Sequence, residues 1–298
     1  MTLRRWILMV VVVAAFGGSV ALKRLIRRPE VPSGPPVGAA RIVSLAPSIT
    51  EILFDLGLGD RLVGVTRYCV FPAEAQKKTQ IGGYYDPNYE AVTAAKPDLV
   101  LTLTEHDDVR TELQKLGLKS MTVDHTTVPK ILSSILDIGN ACGASEKAAA
   151  LHGRLQSRLK AIGARTAGRP RPRVLISISR MAGDFSTNRV TICGRQGYFE
   201  ELIGLAGGMN AFEGDIAFPA LSAEGILQTK PDVIVDLWPD LKEKGGNLET
   251  VRTQWKGIPG LGARIEVIGE SYAMIPGPRV VLLLDDLARA FHPGAPRD

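Results

Sequence analysis

One repeated motif limits what this chain can fold into more than any other feature. A glutamate, five intervening residues, Lys-Pro-Asp and an apolar run occur in this order at residues 90–100 and again at residues 224–234. In each copy a residue that can cap a helix, Asn88 or Ser222, stands two positions before the glutamate. A short helix leading into a buried strand is therefore expected twice, and an internal repeat of this kind predicts two similar lobes.

The repeat also places one carboxylate, Glu90 or Glu224, at a matched position in each lobe. Carboxylates are favoured in the first turn of a helix, where unpaired N–H groups and the helix dipole attract negative charge. A pair of exposed acids at identical spacing also suits contact with a partner that has two similar binding surfaces. The two interpretations are compatible, and both stay open at this point.

Composition and charge narrow the class of protein. The chain has 298 residues with 45% hydrophobic content, which is enough for one large core or two medium cores. Its formal net charge of +5 comes entirely from residues 1–40, which hold six basic residues and one acidic residue. Residues 41–298 are therefore neutral overall, so charge gives no reason to expect nucleic-acid binding.

Residues 1–40 are typical of an export segment. Arg4 and Arg5 precede an apolar run over residues 6–16, and small residues up to Ala21 suit a signal-peptidase site. The basic cluster at residues 23–28 would instead allow an uncleaved membrane anchor, so removal and retention stay equally open. No cysteine lies near the apolar run, which excludes a lipid-modified cysteine there, and Pro and Gly predict a tether over residues 29–40. We expect an exported protein in the periplasm, either free or held to the inner membrane.

The cysteines do not indicate a metal site or a disulfide framework. Cys69, Cys142 and Cys193 are an odd number and lack CxxC spacing. At most one disulfide is allowed, and three buried thiols are the simpler expectation. Nothing in the sequence calls for a cofactor.

Strand-like and helix-like segments alternate along most of the chain, which predicts an α/β fold with parallel sheets covered by helices. Ser48 is expected to cap the first helix. The predicted strands are 41–45, 62–65, 99–103, 119–123, 174–178, 233–237 and 265–268. The predicted helices, besides the two in the repeat, are 49–56, 109–116, 198–205 and 278–291.

Residues 129–166 instead show only helical periodicity, with a break at Gly143. We therefore expect two Rossmann-like lobes, 41–138 and 169–298, joined by one long backbone helix within 139–168. Ligands of open parallel sheets bind beyond the carboxyl ends of the strands, so two facing lobes would form one cleft. A helical connection predicts small opening motions rather than wide hinge closure.

Four segments in this order resemble one family: 41–53 with Gly57, 63–68, 96–100 and 207–210. They are similar to the helical-backbone periplasmic binding proteins of ABC importers, which bind vitamin B12, ferric siderophores or haem, and most similar to the vitamin B12 branch. The likeness covers about residues 41–291. It implies a monomeric receptor, not an enzyme, that captures a metal chelate and delivers it to a membrane permease with its ATPase subunits. A cobalamin or related corrinoid is the first expectation, and a ferric siderophore or haem is the next.

The resemblance also implies roles for individual residues. In that family one acid on each lobe pairs with permease arginines, and these positions fall on Glu90 and Glu224. The acidic and basic residues that the vitamin B12 branch carries near its last loop are missing from 271–276. The implied ligand contacts are Tyr68, Tyr84, Tyr85, Arg180, Phe185 and Tyr272.

Two other functions remain open. A receptor for bare Zn²⁺ or Mn²⁺ could use His106, Asp107 and His125, which follow two strands of the first lobe. A membrane-tethered α/β hydrolase could combine Ser44 or Ser48 with His106 and Asp124. The second alternative lacks a GxSxG nucleophile elbow.

Overall fold

The computed structural model describes residues 38–179, 189–239, 241 and 245–294. The predicted signal or anchor and nearly all of the tether, residues 1–37, lie outside the described residues. Across the described ranges, no helix combines the length and the apolar character that crossing a membrane requires.

The first half of the described chain alternates strand and helix, as the sequence predicts. Its sheet has four strands in the order β2-β1-β3-β4, and every pair is parallel. The elements are β1 (Ile42–Ser44), α1 (Pro47–Asp55), β2 (Leu62–Val65), α2 (Tyr89–Ala94), β3 (Leu99–Leu103), α3 (Asp107–Lys115), β4 (Ser120–Val123), α4 (Val128–Ala141) and α5 (Ser145–Thr166).

The start of α1 differs from the prediction. Ala46, not Ser48, occupies the N-cap position, and Pro47 is the first helical residue. Proline suits this position because its fixed φ is helical and its missing N–H would have had no helical partner. The hydroxyl of Ser48 is consequently free to bond elsewhere.

The second half forms a larger and more irregular sheet. Five strands follow the order β10-β9-β5-β6-β8, and β7 pairs with β5. The pairs β5–β6 and β6–β8 are antiparallel, so the expectation of a parallel sheet is wrong for this lobe, whose sheet is mixed. The elements are β5 (Arg173–Ser179), β6 (Val190–Ile192), α6 (Tyr198–Leu205), β7 (Met209–Asn210), β8 (Ala220–Leu221), α7 (Ala223–Thr229), β9 (Val233–Leu237), α8 (Leu248–Lys256), β10 (Arg264–Ile268) and α9 (Val280–Phe291).

The Lys-Pro-Asp repeat has the same conformation in both lobes. Lys96 and Lys230 both adopt positive φ, at 46° and 47°, which ends each helix sharply. The carboxylate of Asp98 then accepts the backbone N–H of Arg41 at 2.9 Å, and the carboxylate of Asp232 accepts that of Arg173 at 2.7 Å. Each repeat therefore attaches its own strand to the neighbouring strand of the same sheet.

The helix α5 is the connection that the sequence predicts. It has 22 residues, about 33 Å at the rise of an α-helix, and an apolar face from Leu151 to Ile162 is buried. This face packs against α4 and against α9, the last helix of the chain. One hydrophobic cluster continues through residues of both lobes along this line. The lobes are therefore joined by a packed group of helices.

The cysteines agree with the simpler expectation, since Cys69, Cys142 and Cys193 are all free and buried.

Candidate ligand-binding cleft

A cavity of about 380 Å³ lies where the first lobe's sheet ends and the second lobe's last loop approaches it. Its lining is mostly apolar and aromatic. The first lobe contributes Pro47, Ser48, Tyr68, Tyr84, Tyr85 and Leu103, and the second contributes Met274, Ile275 and Pro276. Tyr68, Tyr84 and Tyr85, which the sequence analysis names as ligand contacts, line one cavity, and their contact with a ligand stays a prediction.

Tyr84 is the most firmly held of these aromatic residues. Its hydroxyl donates to Glu105 Oε1 at 2.5 Å. Its ring meets Tyr85 and His106 edge to face, with centroids 4.7 Å and 4.5 Å away. Burial, followed by the bond to Glu105, raises the pKa of Tyr84 far above its ordinary value. The side chain therefore presents a fixed, neutral ring.

Tyr68 and Tyr85 leave much of their surface free. Tyr68 is 51% exposed and Tyr85 is 68% exposed, and the Arg67 guanidinium lies 5.2 Å from the Tyr68 ring centroid. Exposed aromatic rings grouped around one cavity are typical of a binding surface.

His106 lies beneath these rings and is only 1% exposed. Its Nδ1 accepts the N–H of Leu103 at 3.2 Å, so the neutral ring carries its proton on Nε2. Nε2 has no hydrogen-bond partner among the described residues. Burial lowers the pKa of His106, which keeps the ring neutral and in contact with Tyr84.

His125 is held separately. Ser48 Oγ lies 2.9 Å from its Nδ1 and Ser134 Oγ lies 2.8 Å from its Nε2. Burial lowers the pKa of His125 to about 4. Three elements, α1, α4 and the end of β4, are thereby joined through one neutral imidazole.

These contacts bear on the two alternative functions. Asp107 pairs with Arg110, and both nitrogens of His125 are occupied by serines, so His106, Asp107 and His125 do not share a site. Across the described ranges, no group of three or more His, Cys, Asp or Glu residues could hold a metal ion.

The proposed hydrolase triad is not assembled either. Ser48 bonds to His125, not to His106, and the second nitrogen of His125 meets a serine instead of a carboxylate. Asp124 bonds to Thr126 and Lys130. Partial burial opposes ionisation of Asp124, but these bonds outweigh it and lower its pKa to about 2. A nucleophile, a base and an orienting acid are thus not in contact.

The second lobe's predicted contacts are only partly described. Arg180 and Phe185 lie outside the described residues. Tyr272 is described, but it does not line the cavity. Its hydroxyl donates to Asp286 Oδ2 at 2.6 Å, which ties Tyr272 to α9.

The repeat indicates a second-lobe residue that the sequence analysis did not select. Phe218 stands six positions before Glu224, and Tyr84 stands six positions before Glu90. Phe218 is 51% exposed. Counting back from the two glutamates would have found this aromatic pair without any structure.

The two glutamates occupy equivalent places. Asn88 caps α2 by accepting the N–H of Ala91 at 3.0 Å, and Ser222 caps α7 by accepting the N–H of Gly225 at 3.2 Å. Glu90 and Glu224 are exposed in the first turns of these helices. Both carboxylates are therefore accessible to a partner.

A buried ion pair between the lobes was also absent from the sequence analysis. Arg279 at the start of α9 donates to both carboxylate oxygens of Glu51 in α1, at 2.6 Å and 3.0 Å. The two residues are 228 positions apart, and no local pattern marks them as partners.

Comparison with known proteins gives consistent matches. The family model described as "Periplasmic binding protein" matches residues 42–254. The chain is 30% identical over 262 residues to the uncharacterized ABC transporter substrate-binding lipoprotein YvrC of Bacillus subtilis, covering 85% of this chain and 80% of that protein. It is 27% identical over 255 residues to the vitamin B12-binding protein of Salmonella typhimurium, covering 85% and 90%.

Solved structures give the same picture. The periplasmic heme-binding protein RhuT from Roseiflexus sp. RS-1, in apo form, superposes with a TM-score of 0.73 at 27% identity. The match covers 87% of this chain and all of that one.

Proposed function

Because the chain belongs to the periplasmic binding protein family, we propose that it is the substrate-binding protein of an ABC importer and that its cargo is a metal chelate. A cobalamin or related corrinoid is the cargo that we favour, and a ferric siderophore or haem comes next. Relatives named as vitamin B12-binding and heme-binding proteins support this class of ligand.

The observation that carries the proposal is the aromatic cleft. Three tyrosine rings and several apolar side chains surround a cavity of about 380 Å³ between the lobes. Flat rings pack well against a broad planar macrocycle, and an apolar lining favours a ligand that buries much of its own surface. A bare metal ion would need converging oxygen, nitrogen or sulfur ligands instead.

The state of Tyr84 favours a corrinoid over haem. Coordination of iron by a tyrosine requires the phenolate. The Tyr84 hydroxyl already donates its proton to Glu105, so coordination of haem iron through this oxygen would break that bond. A corrinoid needs only the face of the ring.

The exposed carboxylates supply the contact with the transporter. On this proposal Glu90 and Glu224 pair with basic groups on the two permease subunits, and the ATPase subunits complete the importer. Charged contacts of this type set orientation and association rate more than affinity. The role requires no catalysis. It places the protein outside the cytoplasm, either free in the periplasm or held by residues 1–40, and membrane fractionation would separate these two cases.

The test is titration of the purified full-length chain with cyanocobalamin, haemin and a set of ferric siderophores, followed by quenching of tryptophan fluorescence. We expect saturable binding of one planar chelate, with cyanocobalamin the tightest. Binding of haemin or a siderophore alone would replace the corrinoid but keep the class. Binding of Zn²⁺ or Mn²⁺ without any chelate would overturn the proposal.

A further inference from the structure

The two lobes are connected at the edge of the cleft by a buried ion pair and two side chains in contact with it, which we call the Arg279 cluster: Glu51, Phe71, Ser271 and Arg279. The side chain of Glu51 is 2% exposed and that of Arg279 is 13% exposed. The guanidinium donates Nη2 to Glu51 Oε1 at 2.6 Å and Nε to Glu51 Oε2 at 3.0 Å. This bidentate arrangement fixes direction as well as distance.

The remaining surfaces of Arg279 contact two further segments. Its Nη1 donates to Ser271 Oγ at 3.1 Å. Its guanidinium carbon lies 3.9 Å from the centroid of the Phe71 ring, within the range of a cation–π contact. One side chain thus joins α1, the loop that carries Phe71 and the turn that begins at Ser271.

These segments carry the walls of the cleft. Tyr68 and Phe71 belong to the loop that follows β2, and Tyr68 lines the cavity. Residues 274–276, which form the second lobe's side of the cavity, lie between Ser271 and Arg279 in the chain. The backbone of this side approaches the first lobe closely, because a Cβ atom on Gly277 would lie 3.2 Å from Cα of Ser48. The Arg279 cluster therefore holds both walls.

Stability alone does not explain such a pair. Removing a carboxylate from water is costly, and burial raises the pKa of Glu51 although Arg279 acts in the opposite direction. Buried ion pairs often contribute little net stability compared with apolar side chains of the same size, whereas they can specify one geometry. The ability to specify one geometry is useful where two lobes must keep a fixed separation.

From these contacts we propose that Arg279 and Glu51 are positioning residues for ligand capture, which hold the two walls of the cleft at the separation that the ligand requires. The inference rests on the proposed function for its ligand. The geometric part, that the pair sets the spacing of the lobes, can be measured without any ligand.

The first measurement is the distance between the lobes in the full-length chain. Gln114→Cys on α3 and Thr250→Cys on α8 place one exposed spin label on each lobe, and the native cysteines are buried. Pulsed electron spin resonance then gives the distance distribution. We expect Arg279→Met to shift or broaden it, Glu51→Gln and Arg279→Lys to do so less, and Arg252→Met to leave it unchanged. Arg252 is the matched control because its ion pairs, with Glu249 and Glu266, stay within the second lobe.

The second measurement is binding of cyanocobalamin and haemin to the same variants, with thermal melts to verify folding. We expect Arg279→Met to weaken binding by about tenfold and Arg279→Lys to recover part of it, because a less rigid cleft must be ordered by the ligand. Arg252→Met should bind like the wild type. If Arg279→Met does not fold, Glu51→Gln and Arg279→Lys decide the question.

The outcomes separate the two proposals. An Arg279→Met protein with the wild-type distance distribution, and an affinity within about twofold of wild type, would overturn the positioning role. A shifted distribution in a protein whose wild type binds neither probe would keep the positioning of the lobes and reject the ligand class. Equal losses in Arg279→Met and Arg252→Met would reduce the effect to general destabilisation and also overturn the inference.

Discussion

The two lobes are alike at helices α2 and α7 and different in the described residues that line the cleft. Each of these helices is short and capped and has an exposed glutamate, a lysine with positive φ after it and an aspartate that holds the next strand. Among the described residues at the cleft, the first lobe presents three tyrosines next to a neutral histidine, and the second presents the apolar residues 274–276. On the proposed function, the helices that carry Glu90 and Glu224 contact a partner with two similar subunits. The cleft surrounds a single ligand, which does not have that symmetry.

The largest expected difference between the lobes is in how their stability depends on pH. His125 joins three elements, and all of them belong to the first lobe. With a folded pKa of about 4 against an ordinary value near 6.5, the unfolded chain takes up a proton that the folded chain refuses. Above pH 6.5 His125 is neutral in both states and does not lower the free energy of unfolding. Between pH 6.5 and pH 4 the free energy of unfolding decreases as the pH falls. The total loss is about 3 kcal/mol.

Urea unfolding at a series of pH values measures this effect. His125→Gln should be less stable at neutral pH but should lose less stability on acidification. His152→Gln on α5 is the control and should keep the wild-type pH dependence. A His125→Gln protein with an unchanged pH dependence would exclude His125 as the cause.

The next largest effect tests whether helices α2 and α7, which carry Glu90 and Glu224, act together. Replacing both Glu90 and Glu224 by alanine should slow association with the permease complex by about 100-fold, since the two charged contacts that steer docking are lost. Ligand affinity should not change, and the two single variants should have similar effects. Binding to the permease in nanodiscs measures this.

Glu146→Ala is the matched control, because Glu146 is also an exposed acid in the first turn of a helix, α5. It should dock normally. Normal docking by the double variant would refute the role assigned to both glutamates.

A smaller effect tests the aromatic pair at matched positions. On the proposed function, Tyr84→Ala should weaken chelate binding by about tenfold, because it removes a ring from the cavity wall. Phe218→Ala should cause a similar loss if the ring at the matched position of the second lobe also contacts the ligand. Tyr84→Phe keeps the ring, loses the bond to Glu105, and should bind nearly as well as wild type. Fluorescence titration distinguishes the cases.

An unaffected Phe218→Ala would show that the likeness between the lobes ends before the cleft. An unaffected Tyr84→Ala would return that ring to a purely structural role.

The smallest effect concerns the two lysines with positive φ. Lys96→Gly and Lys230→Gly should each raise the free energy of unfolding by about 0.5 kcal/mol, because glycine removes a backbone strain that exceeds its own entropy cost. Lys115→Gly, at the end of helix α3, should have the opposite sign. Thermal melts measure all three, and gains that differ between the lobes would show that the repeat is equivalent in shape but not in energy.

Local patterns predicted most of the regular elements. Strands β3 and β9 are short apolar runs bounded by Lys-Pro-Asp, so their positions follow from composition and turn signals. The connecting helix follows from a repeated apolar face and a glycine break. The helix α8 was missed although its sequence carries a helical signal, because Leu248, Val251 and Trp255 recur at helical spacing and Asn247 caps the first turn.

Contacts between distant residues could not be predicted in the same way. Ser48 looked like a helix cap, and only the folded chain brings it to His125. Glu51 and Arg279 meet across the two lobes, and nothing near either residue indicates the other. The antiparallel strands β6 and β8 have three and two residues, too few for a periodic pattern. The cleft tyrosines were found because a family resemblance, not periodicity, pointed to them.

The packing of α5 between α4 and α9 has a consequence for how a transporter could recognise a loaded receptor. A connector supported on two sides resists bending, so we expect a bound ligand to change the shape of the molecule only slightly. What cargo can change is the range of small excursions that the lobes make around their mean separation. Ligand binding would then be signalled by reduced motion of the lobes, which a partner that contacts both Glu90 and Glu224 would detect.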